Sequence, residues 1–209
     1  MSASFGSRSI GVLISGRGSN LQAIIEAIAS RRLKASIAVV VSNRAEAPGL
    51  QRARDAGIEA VHLSSRGYPD RDGYDQALAG LLRTREVELV CLAGFMRLVG
   101  RPLLDAFPNR ILNVHPSLLP SFPGIDAQRQ ALEHGVRVTG VTVHLVNQEL
   151  DAGPIVRQAA VPVRDDDTVE TLASRILIEE HRLYPEAIDW LLDGGWSLEG
   201  RRVRRVVGS

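Results

Sequence analysis

The sequence predicts an α/β fold: a mostly parallel sheet with helices on both faces and an antiparallel strand pair toward the C-terminus. Three observations predict it. Short runs that are apolar throughout, such as "SIGVLIS", "ASIAVVVS" and "VELVCLAG", alternate with stretches of helical periodicity in the first half of the chain. Strands of continuous apolar character are buried on both faces, as covering helices require. In the second half, "GVTVHLV" and "PIVRQAAVPV" flank the turn "NQELDAG", the pattern of two strands joined as a hairpin.

The elements follow in order. After the first strand, "SNLQAIIEAIAS" reads as a helix with Leu21, Ile24, Ile25 and Ile28 on one face. After the second strand, Pro48 opens a helix that runs through Arg54, and Gly57 ends it. "IEAVHLS" is a third strand, residues 70–84 an amphipathic helix, and "VELVCLAG" a fourth strand. A short helix near Pro102 and a fifth strand at 111–114 follow. Beyond the late strand pair, "DDDTVETLASRILIEEHRLYPEAIDWLLDGG" has helical periodicity in Leu172, Ile176, Leu183 and Ile188. Asp167 and Glu170 have capping-box spacing there, and Pro185 is expected to kink or interrupt the helix. The whole is a Rossmann-like arrangement, read as one domain over residues 1–209, with 1–8 a frayed start and 196–209 a solvated basic tail.

Composition narrows the function classes. The 209 residues fit one domain, and the 44% hydrophobic content is ample for a core. A net charge of +1 argues for neither nucleic acid nor a membrane surface. No apolar run approaches the ~20 residues that span a bilayer, and the N-terminus has no apolar signal core. The single cysteine, Cys91, lies in an apolar strand, which reads as a small buried hydrophobe and rules out a disulfide framework. These features describe a soluble cytoplasmic protein. The five histidines include no H-E-x-x-H, so no metal is expected.

Two ligand pockets and a reactive cluster are expected at the carboxyl ends of the strands, where such sheets bind ligands. The first strand runs into "SGRGSN": Gly16 and Gly18 permit a tight turn, and Ser19 and Asn20 start a helix whose free N–H groups suit an anion. Leu21 stands where a dinucleotide fingerprint wants its third glycine, and "VSNR" closes the second strand without an acidic residue, so a terminal phosphate fits better than a dinucleotide. The fourth strand ends in "AGFMRLV", whose Phe95, Met96, Leu98 and Val99 suit a flat, apolar-bodied ligand. Between these pockets, "NVHPSLLPSFPG" brings Asn113 and His115 out of the fifth strand, with Pro116, Pro120 and Pro123 stiffening the loop. Asn can donate to a developing oxyanion, and His exchanges protons near neutral pH. Asp151, in the turn between the late strands, is the candidate to set the charge of His115. Taken singly, each residue also suits a structural job: a Gly/Ser turn, a core loop, a turn-forming Asp, a histidine in a structural hydrogen bond.

Taken together, "ISGRGSNLQAI", "LAGFMRLV", "NVHPSLLPSFPG" and "GVTVHLVNQELDAGPIVRQAAVPV" closely resemble the folate-dependent glycinamide ribonucleotide formyltransferases of purine synthesis, in order over roughly residues 9–190. The resemblance implies transfer of a formyl group from 10-formyltetrahydrofolate to the amine of glycinamide ribonucleotide. It implies that Gly18, Ser19 and Asn20 hold the nucleotide's phosphate end, that Glu180 lies near the glycinamide, and that Asn113, His115 and Asp151 are catalytic. Met96, Arg97, Leu98 and Val99 would face the pterin, and Arg71 would contact the folate. Two departures stand out: Ser121 where many members carry lysine, and Arg17 inside the glycine turn. The expected chemistry is direct amine attack through a tetrahedral intermediate, stabilised by Asn113 and a protonated His115. A 10-formyltetrahydrofolate hydrolase is the nearest rival, but Pro116 follows His115 where that family has a second histidine. Methionyl-tRNA formyltransferase would need an added C-terminal domain, and an NADP-binding module would leave Asn113, His115 and Asp151 without a job.

Overall fold

The structure, a computed structural model, describes residues 6–206. The apolar runs become its central strands. Every residue of β1 (Ser9–Ile14) is buried, and β2 (Ser36–Ser42), β3 (Ala60–His62), β4 (Leu89–Leu92) and β5 (Ile111–His115) run parallel with it. Beyond β5 the direction alternates: β6 (Val138–Leu145) is antiparallel to β5, and β7 (Ile155–Pro162) is antiparallel to β6. Two short strands, β8 (Trp196–Glu199) and β9 (Arg202–Arg205), complete the order β3-β2-β1-β4-β5-β6-β7-β9-β8 among the described residues.

Helices cover both faces of this sheet. On one side α1 (Ser19–Ala29), α2 (Pro48–Asp55) and α6 (Val169–Leu192) pack a core that includes Ile10, Val12, Leu21, Ile24, Cys91, Tyr184 and Ile188. On the other, α3 (Arg71–Arg83) and α4 (Arg101–Ala106) bury Tyr74, Leu78, Leu82 and Leu103 against Leu13, Val39 and Val90. A seven-residue helix between β5 and β6, α5 (Ala127–Glu133), is not predicted from the sequence, because seven residues give too short a window for periodicity. Tyr184 ties α6 to the sheet: its buried hydroxyl lies 3.0 Å from the Leu92 carbonyl and 2.9 Å from that of Leu112, at neighbouring positions on β4 and β5.

Four sequence expectations are corrected. Pro185 neither kinks nor ends α6; it is buried inside one continuous helix, where packing of Leu183, Tyr184, Ala187 and Ile188 offsets the lost backbone bond. The capping box lies one residue later than expected, at Thr168 and Thr171, each hydroxyl accepting from the other's N–H. Asp167 is instead held by both arms of the Arg175 guanidinium, at 2.7 and 2.8 Å. Residues 196–206 are not a solvated tail but the β8–β9 hairpin, anchored by Trp196, which is 3% exposed and whose indole N–H donates to the Leu191 carbonyl. The start is pinned from residue 6: Gly6 and Ser7 donate backbone N–H bonds to Glu88, and Arg8 pairs with Asp189 and Asp193. Residues 1–5 and 207–209, the rest of the expected frayed start and basic tail, lie outside the described residues.

Tyr184→Phe should lower the free energy of unfolding in urea by about 1–2 kcal/mol, since two buried strand carbonyls lose their donor. An unchanged midpoint would mean that these carbonyls do not depend on the hydroxyl.

Candidate active site

Two pockets open beside the carboxyl ends of the strands. The first, about 320 Å³, is lined by Ser15 to Asn20 together with Arg44, Ala93, Gly94 and Met96. Gly18 takes a left-handed φ of 71° immediately before α1, a conformation glycine adopts without strain. Its turn leads the N–H groups of the first turn of α1 to the pocket, with no intrahelical partner for them. Arg17 and Arg44, both exposed, add positive charge to its rim. Asn20 is buried there; its amide N–H donates to Glu180 at 2.6 Å, while its Oδ1 has no partner among the described residues. Burial pushes the Glu180 carboxyl above its usual pKa, against the opposing pull of Asn20.

Ser15 joins this pocket to the loop after β4. Its hydroxyl accepts from the Met96 N–H at 2.8 Å and donates to Asn43 at 2.6 Å, while its own N–H bonds the Gly94 carbonyl. Met96 and Leu98 stand 66% and 59% exposed, a large amount of apolar surface for one loop. Arg97 lies over the Tyr74 ring at 4.7 Å. The loop ends at Gly100, whose N–H is held by the buried Asp75 carboxylate at 2.5 Å, with Arg71 beside it. Met96 to Val99 and Arg71 therefore border one stretch of surface. Ser121 is exposed on the proline loop, away from any ion pair among the described residues.

The central cluster follows from register. Asn113 and His115 are two residues apart on β5 and share a face, and β6 sets His144 opposite Asn113 and Thr142 opposite His115. Because β6 is antiparallel, the turn after it starts at the far end of β5, where the Val146 N–H bonds the Ile111 carbonyl. Residues 147–153 fold back and bring Asp151 into the cluster. Asp151 Oδ2 lies 3.4 Å from His115 Nδ1 and accepts the Gly124 N–H at 2.8 Å; Oδ1 lies 3.7 Å from His144 Nε2. His115 donates through Nε2 to the Phe122 carbonyl at 2.8 Å, and His144 donates through Nδ1 to the Leu145 carbonyl at 3.1 Å. On its other side, His144 Nε2 lies 3.2 Å from the Asn113 amide nitrogen, whose N–H it can accept. His144, whose role the sequence leaves open, thus orients Asn113, and the cross-strand register is the signal that finds it. Asp151 and Phe122 have left-handed φ values of 49° and 57°. Asp tolerates this; for a bulky Phe it is unusual, and such strain clusters at functional sites.

Electrostatics revise one expectation. Burial pushes the His115 pKa down, and the upward pulls of the Phe122 carbonyl and Asp151 do not make up the difference. Burial thus favours the neutral ring over the expected imidazolium. Burial pushes Asp151 up, but His144, the Gly124 N–H and His115 outweigh it, and its pKa ends below normal. Both downward shifts act in the same sense on stability. The Asp151 contribution is present above its ordinary pKa of 3.8 and is lost as pH falls through the lower native value. Protonating His115 costs stability as pH falls below its ordinary 6.5. Among the described residues, no three His, Cys, Asp or Glu side chains are grouped to hold a metal ion, and no helix is long and apolar enough to cross a membrane.

A second cavity, about 650 Å³, lies against Asp151, lined by Leu119, Pro120, Pro123, Leu150, Ile155 and neighbouring groups. The cluster is thus flanked by an amide-rich pocket linked through Ala93, next to Leu92, which pairs with Asn113, and by apolar surface.

A family model described as formyl transferase matches residues 8–188. The phosphoribosylglycinamide formyltransferase of Escherichia coli is 44% identical over 183 residues, covering 88% of this chain and 86% of that protein. The trifunctional purine biosynthetic protein adenosine-3 of Homo sapiens is 45% identical over 185 residues, covering 88% of this chain. The chain spans only 14% to 18% of the length of such trifunctional relatives. The crystal structure of glycinamide ribonucleotide transformylase 1 from Symbiobacterium toebii superimposes with a TM-score of 0.93 at 59% identity, covering 95% of this chain and 94% of that one.

Asp151→Asn should still fold, because Asn also tolerates the left-handed backbone, with a modestly lower melting temperature as the stabilising charge is lost. The His115 ring-proton titration followed by NMR should move still lower, since an upward pull is removed. An unchanged titration would leave Asp151 as a turn residue.

Proposed function

The chain belongs to the formyl transferase family, and from that premise we propose that it transfers the formyl group of 10-formyltetrahydrofolate to the amine of glycinamide ribonucleotide. The observation that carries this reading is the cluster of Asn113, His144, Asp151 and His115, set between an amide-lined pocket and an apolar loop.

In this reading Gly18, Ser19 and Asn20 receive the phosphate of the ribonucleotide, with α1 supplying N–H donors and the positive end of its dipole. The partnerless Asn20 Oδ1 and the Glu180 carboxyl are the acceptors for the donors of the substrate's glycinamide end. Met96, Arg97, Leu98 and Val99 offer apolar surface and backbone to the pterin, and Arg71 meets the anionic end of the folate. Both residue sets fit their ligands by chemistry: polar donors for an anion, exposed apolar side chains beside backbone for a flat heterocycle.

Amine attack on the formyl carbon places negative charge on the formyl oxygen. Asn113, held by His144, points an N–H at that charge. His115 enters neutral and can accept the proton released by the attacking amine. The resulting imidazolium is matched by Asp151, whose charge costs little at neutral pH because its pKa is depressed. His115 then returns a proton to the departing nitrogen of the folate. In that neutral ring Nε2 carries the hydrogen given to the Phe122 carbonyl, so the proton is taken up at Nδ1, on the Asp151 side, and the Nε2–H is the one delivered to the folate nitrogen. No enzyme nucleophile is required: burial pushes the Cys91 thiol well above its usual pKa, and the side chain is fully buried.

The test is consumption of 10-formyltetrahydrofolate with and without glycinamide ribonucleotide. Consumption should require the ribonucleotide and yield its formylated product one for one. An equal rate in water alone would make the chain a hydrolase. In the same assay Asp151→Asn should lose at least ~10²-fold in turnover, the lower end for losing general acid–base help. Near-normal turnover would remove Asp151 from the catalytic set.

A further inference from the structure

The glycine turn is braced from behind by α2. The Gly49 N–H, in the first turn of α2, donates to the Gly16 carbonyl at 3.1 Å. One turn later, Arg52 donates through Nε to the Arg17 carbonyl at 2.9 Å, and its Nη1 lies 3.4 Å from the Gln22 side-chain Oε1 on α1. No residue of α2 lines the first pocket, so the turn sits between α2 and that pocket.

The planar trans peptide gives these bonds a consequence on the far side. In each peptide unit the C=O and the following N–H point in opposite directions. Drawing the Gly16 and Arg17 carbonyls toward α2 turns the Arg17 and Gly18 N–H groups away from it, on the pocket side. The two N–H groups that follow, of Ser19 and Asn20, already lie free in the first turn of α1. Four successive amides then face one anion.

The closeness of the brace explains a second glycine. A Cβ on Gly49 would sit 2.5 Å from Ile14 Cδ1, 3.2 Å from the Gly16 carbonyl oxygen and 3.2 Å from Gly18 Cα. A Cβ on Gly18 would meet Gly49 Cα at 2.8 Å. The two backbones touch, so α2 fixes the turn in place as well as in orientation. We propose that Arg52, with Gly49, is a positioning residue for the phosphate pocket: it touches no ligand and acts by rotating two peptide planes so that their amides point at the anion. This rests on the reading of the first pocket as the phosphate site.

Arg52 is exposed, so Arg52→Met keeps the aliphatic stem and removes the donor together with its charge. Amide ¹H–¹⁵N spectra of the full chain, titrated with inorganic phosphate, separate the outcomes. In the unaltered chain the Arg17, Gly18, Ser19 and Asn20 amides should all respond. In Arg52→Met the Arg17 and Gly18 responses should shrink while those of Ser19 and Asn20 persist. The Kd for phosphate and the KM for the ribonucleotide should rise about three- to tenfold, the scale of one hydrogen bond, with the KM for the formyl donor unmoved. An equal loss at all four amides would mark a charge effect and overturn the inference, as would no loss at all. An unaltered chain whose four amides ignore phosphate would remove the pocket reading itself, and the inference with it.

Discussion

One buried carboxylate holds the reactive edge together. Asp151 arrives on a turn that starts at the far end of β5, inside the loop closed by the Leu145 N–H and the Pro154 carbonyl. A carboxylate largely out of water needs a donor, and it finds the Gly124 N–H, with the His115 and His144 rings 3.4 and 3.7 Å away. Those contacts join the proline loop, the β6–β7 turn and the face of β5. The carboxylate therefore shapes the loops and tunes His115 at once. Thr142 does the parallel work lower down, its hydroxyl donating to the Ser117 carbonyl and accepting from the Leu119 N–H, so that the loop is fastened at both ends.

The balance at His115 shows why neighbouring charge alone does not decide a protonation state. A carboxylate 3.4 Å away would favour imidazolium at the surface. Here the ring is only 4% exposed, and the loss of water outweighs the attraction. A histidine that rests neutral and has a ready counter-ion is poised to take a proton and hold it briefly. That suits a transfer in which a proton is picked up from one nitrogen and one is delivered to another.

Much of this was legible in the sequence. The parallel strands were visible because double-sided burial writes itself as uninterrupted apolar residues, and Asn113 and His115 because alternate polar residues at a strand's end have little structural use. Asp151 was legible only as a candidate, since its turn and its charge serve different purposes and the sequence displays both. His144 stayed open because its meaning comes from register with Asn113, a non-local fact. Arg52 was invisible: an exposed arginine on a helix looks like any other, and its target is a carbonyl, which carries no side-chain signature. The hairpin at 196–206 was masked by its arginines. Its hold on the fold comes from Trp196 and from Leu198 and Val203, which pack on the core, while the charges between them face water.

That hairpin changes what the sheet offers to other molecules. Without it, the eight residues of β7 would present a long rim of unpaired backbone groups, a template on which a foreign strand can grow. β9 meets β7 at one pair, Ile155 with Arg202, so the hairpin closes the start of that rim and leaves the stretch beyond it to side chains; the opposite rim, β3, is three residues long. The arginines at 202, 204 and 205, beside one rim, add a charge barrier against stacking like with like.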